Sequence, residues 1–116
     1  MTDRMPAQVF CLAELLSDEM LERGWTTEDV VRHMNTGRDP AIDLCCVDLL
    51  MCVQDDNLMI DPETFDGLTR AFGVDAQFFR NIDKAWRAAP KDRRADFNPP
   101  EQLFGPISRR ALMRTV

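Results

Sequence analysis

Apolar residues recur at three- and four-residue spacing along most of the chain, in stretches separated by residues that start or stop helices. The first stretch covers 7–23 and ends before Gly24, a residue type that commonly closes a helix. The second covers 26–34 and opens on Thr-Thr-Glu-Asp. There a hydroxyl caps free N–H groups and the acids suit the positive end of the helix dipole. The pattern therefore predicts two amphipathic helices in the first third of the chain.

The third stretch, 41–53, follows Pro40 and is apolar on nearly every side of the helix that it predicts. Only Asp43 and Asp48 interrupt the apolar residues. A helix that is apolar all round is usually buried all round. We therefore expect this helix either at the middle of the domain or with one face in a subunit contact.

Two further helices are predicted after a polar loop. One begins at Asp61-Pro62 and ends at Gly73, and the next covers 76–89 and ends before Pro90. The abundance of Leu, Met, Ala, Arg and Glu favours helix over strand. The sequence therefore predicts an all-α domain over 7–89, followed by a basic C-terminal tail over 90–116.

A chain of 116 residues is long enough for one hydrophobic core but not for two. No stretch reaches the roughly 18 unbroken apolar residues of a membrane span. The first residues also lack the apolar run and the small-residue cleavage site of a signal peptide. We expect a cytoplasmic protein with no membrane partner, whose four cysteines are reduced.

Charge is distributed unevenly along the chain. Residues 1–83 hold 17 acidic and 6 basic side chains, whereas residues 84–116 hold 3 acidic and 8 basic ones. The acidic part repels phosphate and the basic part attracts it. The tail is expected either to contact phosphate without sequence preference or to be a solvated segment that keeps the chain soluble. Its arginines are Arg93, Arg94, Arg109, Arg110 and Arg114.

Residues that commonly carry chemistry are sparse. The four cysteines and the single His33 lack the paired spacing of zinc ligands, so we expect no metal and no cofactor. Ser17 and Ser108 are the only serines, and the chain holds no nucleophile-elbow, phosphate-loop or zinc-protease motif. We therefore do not expect an enzyme.

Two stretches of the chain resemble helix-turn-helix regulators of the Xre type, and HigA antitoxins in particular. The sequence ETFDGLTRAFGVDAQFFRNID at 63–83 is similar to the end of these antitoxins, where a helix T-x-x-x-L-A-x-A-L/F-G precedes a polar step and F-W/F-x-N-L. Residues 15–34, with Gly-Trp-Thr-Thr between two helices, resemble the first two helices of the same family. The resemblance covers residues 10–86.

The resemblance implies a lambda-repressor-like bundle of five helices that contains a helix-turn-helix. In that family the second helix crosses the DNA backbone and the third enters the major groove, usually in a dimer. Some members repress their own operon, and some also bind a toxin. This chain departs from the family where Val31 replaces a small Ala, where Asn35 replaces the turn glycine, and by extra residues before the fourth helix. Its third helix lacks the Arg, Lys, Asn, Gln and Ser side chains that read base edges, so those roles are not carried over.

The residues expected to face DNA lie in the second predicted helix and in the turns on either side of it. Capping hydroxyls and turn N–H groups bind phosphate at a helix start, and arginine adds positive charge. The alternative is an ordinary capped helix with a solvated turn. The DNA-facing candidates are Thr26, Thr27, Arg32, His33, Asn35, Thr36, Gly37 and Arg38.

Two functions from different classes follow from these observations. The first is a transcriptional regulator that binds double-stranded operator DNA as a homodimer, with an antitoxin-like autorepressor as one form of it. The second is a protein-interaction module of the same fold, which binds a toxin, an activator or itself through the apolar helix at 41–53. The resemblance favours the first hypothesis, which we take as the leading one. The acidic body and the missing base-reading side chains favour the second.

Overall fold

Side-chain caps begin four of the five α-helices that the structure describes. In the computed structural model, which describes residues 8–105, each capping side chain accepts a hydrogen bond from a backbone N–H in the first turn of the helix that follows. The caps are Thr26, Asp39, Asp61 and Asp75. These are the polar residues that precede each apolar stretch, so the helix starts follow directly from the local sequence.

Five α-helices pack together in the described range, and no β-strand is formed there. Their bounds are α1 Leu12–Arg23, α2 Thr27–Met34, α3 Pro40–Cys52, α4 Pro62–Phe72 and α5 Ala76–Ala88. Single turns of 3-10 helix follow at Lys91–Arg93 and Glu101–Leu103. The prediction of an all-α fold is confirmed, and the predicted bounds of the second to fifth helices agree closely with the structure. None of these described helices has the length and apolar composition needed to cross a membrane.

The first helix begins at Leu12, later than the predicted start at residue 7, which lies outside the described residues. Val9 is instead extended and pairs with the chain that follows α5. Its N–H donates to the carbonyl oxygen of Arg93 at 2.8 Å, and its carbonyl oxygen accepts from the N–H of Ala95 at 2.9 Å. Because these bonds hold the backbone extended, the apolar periodicity before Leu12 does not continue as helix.

Each helix contributes a fully buried apolar side chain to a single core. Leu16, Met34, Met51, Leu68 and Phe79 come from α1, α2, α3, α4 and α5 in that order, and none is more than 1% exposed. A core that draws on all five helices makes them one packing unit. This agrees with the expectation that a chain of this length builds one core.

The end of α2 lies very close to α4. A Cβ added at Gly67 would lie 2.8 Å from Met34 Cε and 2.9 Å from Met34 Cβ, so a larger residue does not fit without a shift of the helices. The Arg70 side chain, one turn further along α4, donates from Nε to the carbonyl oxygen of Met34 at 2.8 Å. The C-terminus of α2 is therefore fastened to α4, which fixes where the following turn lies.

Residues 91–105, which we call the strap, pack along the helices where the sequence analysis predicted a tail. Leu103 is 1% exposed, and the guanidinium carbon of Arg94 lies 4.3 Å from the centre of the Trp86 ring. Arg94 also pairs with Asp56 at 2.9 Å. Arg94 thus belongs to the folded unit, whereas the sequence predicted either a phosphate contact or a solvated segment for it. Three arginines of the predicted tail lie outside the described range: Arg109, Arg110 and Arg114.

Candidate functional site

The corner between α1 and α2 carries two of the DNA-facing candidates, Thr26 and Thr27. Thr26 forms a reciprocal cap with Asp29. The N–H of Asp29 donates to the Thr26 hydroxyl at 3.4 Å, and the Asp29 carboxylate accepts from the N–H of Thr26 at 2.8 Å. Thr27 has an exposed fraction of 0%. An incoming phosphate therefore meets a carboxylate where free N–H groups were expected.

The strap reaches this corner from another side. Gly105 lies against Glu28, so closely that a Cβ at residue 105 would collide with the Glu28 carboxylate. Glu28 and Asp29 also place two negative charges in the first turn of α2, where they interact favourably with the helix dipole. The same charges oppose the binding of a phosphate at this helix end.

Arg32 and His33 lie on the exposed side of α2. The Arg32 side chain is 67% exposed, and its guanidinium pairs with Asp29. The ring of His33 stacks on Trp25 with centroids 4.2 Å apart, and its Nδ1 lies 2.9 Å from the carbonyl oxygen of Asp29. Of the two candidate arginines, Arg32 and Arg38, Arg32 is thus the more accessible one, and it is already paired with a carboxylate.

The turn after α2 holds Asn35 and Gly37 in the left-handed conformation, with φ of 51° and 83°. For glycine this backbone region is free of strain, whereas the short polar side chain of asparagine tolerates it. Arg70 donates from Nη2 to the carbonyl oxygen of Asn35 at 3.4 Å, in addition to its bond with Met34. The turn is therefore a well-held connection between α2 and α3.

Thr36 and Arg38 are brought together in a polar cluster at the start of α3. Arg38 donates to Asp43 Oδ1 from Nε at 2.9 Å and from Nη2 at 2.5 Å, and to Asp61 Oδ2 from Nη1 at 2.9 Å. The Thr36 hydroxyl donates to the other oxygen of Asp43, and Arg38 Nη2 donates to Thr64 Oγ1 at 3.1 Å. We call Thr36, Arg38, Asp43, Asp61 and Thr64 the Arg38 cluster.

The Arg38 cluster neutralises its arginine from within the protein. The Arg38 side chain is 21% exposed, and that of Asp43 only 3%. Burial alone would raise the pKa of Asp61, but hydrogen bonds from Thr64 and Arg38, with the charge of Arg38, leave that pKa below its ordinary value. Burial lowers the pKa of Arg38, and the carboxylates of Asp43 and Asp61 more than offset this, so the pKa rises. The charge of Arg38 is therefore engaged internally.

The eight DNA-facing candidates do not form one cationic surface. Thr26, Thr27, Thr36 and Arg38 are engaged in internal bonds or buried, while Arg32 and His33 stay at the surface beside Asp29. The turn at Asn35 and Gly37 connects α2 to α3, and neither of these two residues carries a positive charge. The arrangement stabilises the fold and offers little to an anion.

The third helix buries both of its acids among apolar residues on its inner side and leaves further apolar residues exposed on its outer side. Asp43 and Asp48, its only charged residues, are each 2% exposed. Ile42 and Leu49, on the opposite side, are 50% and 38% exposed. The sequence of this helix left a subunit contact open without assigning a face, and the structure shows which face is open within the described part of the chain.

The exposed apolar residues of α3 lie in one stripe. With about 3.6 residues per turn, positions 42, 45, 46, 49 and 53 point to the same side of a helix. The two cysteines and Val53, which directly follows α3, are half-buried. No charged residue belongs to this stripe. We call its five residues the outer face of α3: Ile42, Cys45, Cys46, Leu49 and Val53.

The cysteines of the described chain are all free of disulfides. Cys11 is buried, whereas Cys45, Cys46 and Cys52 are half-buried. Within residues 8–105, no group of three or more His, Cys, Asp or Glu side chains is arranged to hold a metal ion. Cys45 and Cys46 therefore belong to the site as small apolar residues at the middle of the outer face.

A function for this protein has to be argued from the geometry of the site, because comparison with known proteins gives no match. No protein-family model, no curated protein and no solved structure matches this chain. The resemblance to Xre regulators and HigA antitoxins stays a prediction from the residues that carry it.

Proposed function

We propose that this protein is a protein-interaction module whose docking surface is the outer face of α3. The observation that carries the proposal is that α3 buries both of its acids, Asp43 and Asp48, and leaves Ile42 and Leu49 open to solvent. We further propose that α2, the turn and α3 form a lambda-repressor-like helix-turn-helix. In that arrangement α3 corresponds to the helix that enters the major groove in other members, and its outer face is the surface turned toward the DNA.

Buried acids and exposed apolar side chains on the same helix are unfavourable for a chain that stays alone. Apolar surface left in water forgoes about 25 cal/mol for each Å² that could be buried. A carboxylate placed inside, such as Asp43, must be matched by a cation and by further hydrogen bonds, which Arg38 and Thr36 supply. A helix with its acids outward and its apolar residues inward would avoid both costs. A second protein surface that covers the outer face accounts for the arrangement.

The regulator hypothesis has weaker physical support. Base edges are read by hydrogen-bonding side chains, and the outer face of α3 offers thiols and hydrocarbon. Affinity for DNA comes largely from accessible cations, whereas Arg38 is paired with Asp43 and Asp61, and Arg32 is paired with Asp29. DNA binding therefore stays a hypothesis, and a titration tests it directly.

A co-purification experiment with matched variants tests the proposal. The tagged chain is co-expressed with the product of each flanking gene and, separately, with a differently tagged copy of itself. We expect the native chain to retain one of these proteins, Ile42→Glu to lose it, and Met59→Glu to retain it. Met59 is the matched control because its side chain is 82% exposed and lies outside α3. Circular dichroism checks that both variants keep the helical fold.

The same proteins allow the DNA hypothesis to be tested. The native chain is titrated against the DNA upstream of its own gene and against random DNA of equal length, at two salt concentrations. We expect no preference between the two DNAs. Specific and salt-sensitive binding that Ile42→Glu leaves unchanged would contradict our proposal. Retention of no protein, or equal retention by the native chain and Ile42→Glu, would also contradict it.

A further inference from the structure

We infer that the surface covering the outer face of α3 is the outer face of α3 in a second copy of this chain, packed antiparallel. This inference rests on the proposed function, because it names the partner of the same docking surface. The pairing would be isologous, with a twofold axis that passes between Cys45 and Cys46. Both copies then use the same surface for the contact.

The spacing of the outer face fits such an axis. Ile42 lies three residues before Cys45, and Leu49 lies three residues after Cys46. An antiparallel pair centred between the two cysteines therefore places Ile42 of each copy opposite Leu49 of the other. The large side chains meet large ones at the two ends, and the small thiols meet at the centre, where the helices can approach closely.

The electrostatics also favour this face for self-association. Each copy carries a formal net charge of −6, so two copies repel each other over most approaches. A pairing of two α1 helices, for example, would bring exposed Asp18 and Glu22 against themselves. On α3 the acids Asp43 and Asp48 are turned inward at 2% exposure, so two outer faces meet without opposed like charges.

The ends of the helix favour one orientation of the pair. In an antiparallel pair the N-terminus of α3 at Pro40 lies next to the C-terminus at Cys52 of the second copy. The two exposed Asp39 carboxylates, which cap the N-termini, are then far apart, at opposite ends of the pair. A parallel pair would place like ends together, so the antiparallel orientation is the favoured one.

The size of the stripe sets how tightly two copies associate. The 13 residues of α3 span about 20 Å, so one helix face covers much less than the roughly 800 Å² that each partner buries in a stable complex. We therefore expect a dissociation constant of about 1 μM or weaker. The dimer should form and dissociate as the protein concentration is changed across that range.

Sedimentation equilibrium of the untagged full chain over a wide concentration range tests the inference. We expect a monomer–dimer equilibrium in the native chain and in Met59→Glu. Ile42→Glu and Leu49→Glu should each weaken association by more than about tenfold, because they leave charges opposed to apolar side chains. A dimer that both variants leave intact would place the contact elsewhere and overturn the inference.

A charge-exchange mixture tests the antiparallel register. Ile42→Lys in one copy and Leu49→Glu in the other should each reduce self-association. When the two variants are mixed, position 42 of one copy meets position 49 of the other, and a Lys–Glu pair replaces one apolar contact. We expect the mixed dimer to be tighter than either variant alone. No gain on mixing would overturn the register, since a parallel pair brings position 42 against position 42.

The thiols give an independent readout. A short bismaleimide that alkylates one thiol on each copy should join two native chains, and the Cys45→Ser/Cys46→Ser double variant should not be joined. Cross-linking that persists in the double variant would contradict a contact centred on these residues.

A native chain that is monomeric at every concentration overturns the inference, whereas the proposed function survives if a flanking gene product is retained and Ile42→Glu releases it. If the native chain is monomeric and also retains no flanking gene product, the proposed function is contradicted as well.

Discussion

On the inner side of α3, Asp43 is 2% exposed and accepts hydrogen bonds from Thr36 and Arg38; on the outer side, its neighbour Ile42 is 50% exposed. The inner acid is stabilised by Thr36 and Arg38, which both lie before the helix in the chain, and Arg38 is in turn bonded to Asp61 after it. The outer hydrocarbon has no such partner in the described residues. The difference shows that burial in this helix follows the availability of partners and not the polarity of the residue alone.

A substitution that removes side-chain volume on the inner side of α3 should lower the free energy of unfolding the most. Met51→Ala removes a side chain that is 0% exposed, and we expect the free energy of unfolding to fall by about 3 kcal/mol through lost burial and a residual cavity. Leu49→Ala is the matched control, because Leu49 is 38% exposed on the same helix, and we expect it to cost about 1 kcal/mol. Urea titrations measure both values. Equal losses would show that the two sides of α3 are not packed differently.

Removal of the buried acid should have the next largest effect. Asp43→Ala leaves the Arg38 guanidinium with one partner fewer in a mostly buried position, so we expect a loss of about 2 kcal/mol. Asp66→Ala, on the exposed side of α4, is the control and should change stability by less than about 0.5 kcal/mol. The Arg38→Ala/Asp43→Ala double variant should cost less than the sum of the single variants. Additive losses would mean that Arg38 and Asp43 do not stabilise each other.

A smaller effect should depend on pH. Because the pKa of Asp61 is lowered in the folded protein, its contribution is present above the unfolded value of about 3.9 and is lost as the pH falls through the lower folded value. The carboxylate is 42% exposed, so we expect less than about 1 kcal/mol. Asp61→Asn keeps a helix-capping side chain but removes the charge. Thermal unfolding of both proteins from pH 6 to pH 2.5 should show a smaller acid-induced loss in Asp61→Asn.

The outer side should tolerate a charge in the monomer. Ile42→Glu, at a concentration too low for association, should change the free energy of unfolding by less than about 1 kcal/mol, because the side chain is half exposed and Glu favours helix more than Ile. Chemical denaturation followed by circular dichroism measures this. Global unfolding of the dilute variant would show that Ile42 is part of the core, and the contrast between the two sides would be lost.

The helices follow from local sequence signals, and these were predicted well. Caps such as Thr26 and Asp61 and the terminating Gly73 act within one helical turn, so a reading of neighbouring residues finds them. The start of α1 was predicted too early because Val9 pairs with Arg93 and Ala95, residues far along the chain that periodicity does not detect. Local patterns thus define elements, and long-range pairing decides where some of them begin.

The site was harder to predict, because its polarity depends on three separate segments. Buried Asp43 is bonded to Arg38 from the preceding turn, and Arg38 is in turn bonded to Asp61 and Thr64 at the start of α4. The apolar pattern of 41–53 predicts burial or a subunit contact without assigning a face, because it does not show that Asp43 is turned inward. The clue in the sequence was the lone Arg38 in an acidic surrounding, since an arginine with several nearby carboxylates commonly organises them.

The pairing of Val9 with Arg93 and Ala95 joins positions near the two limits of the described chain, and this affects the order of assembly. Contacts between distant positions require closure of a long loop, and they usually form after the local ones. We therefore expect the five helices to associate first and the strap to close last along the folding route. Under mild denaturant the same segment should open first, so its amide hydrogens should exchange with solvent before those of the helix interiors.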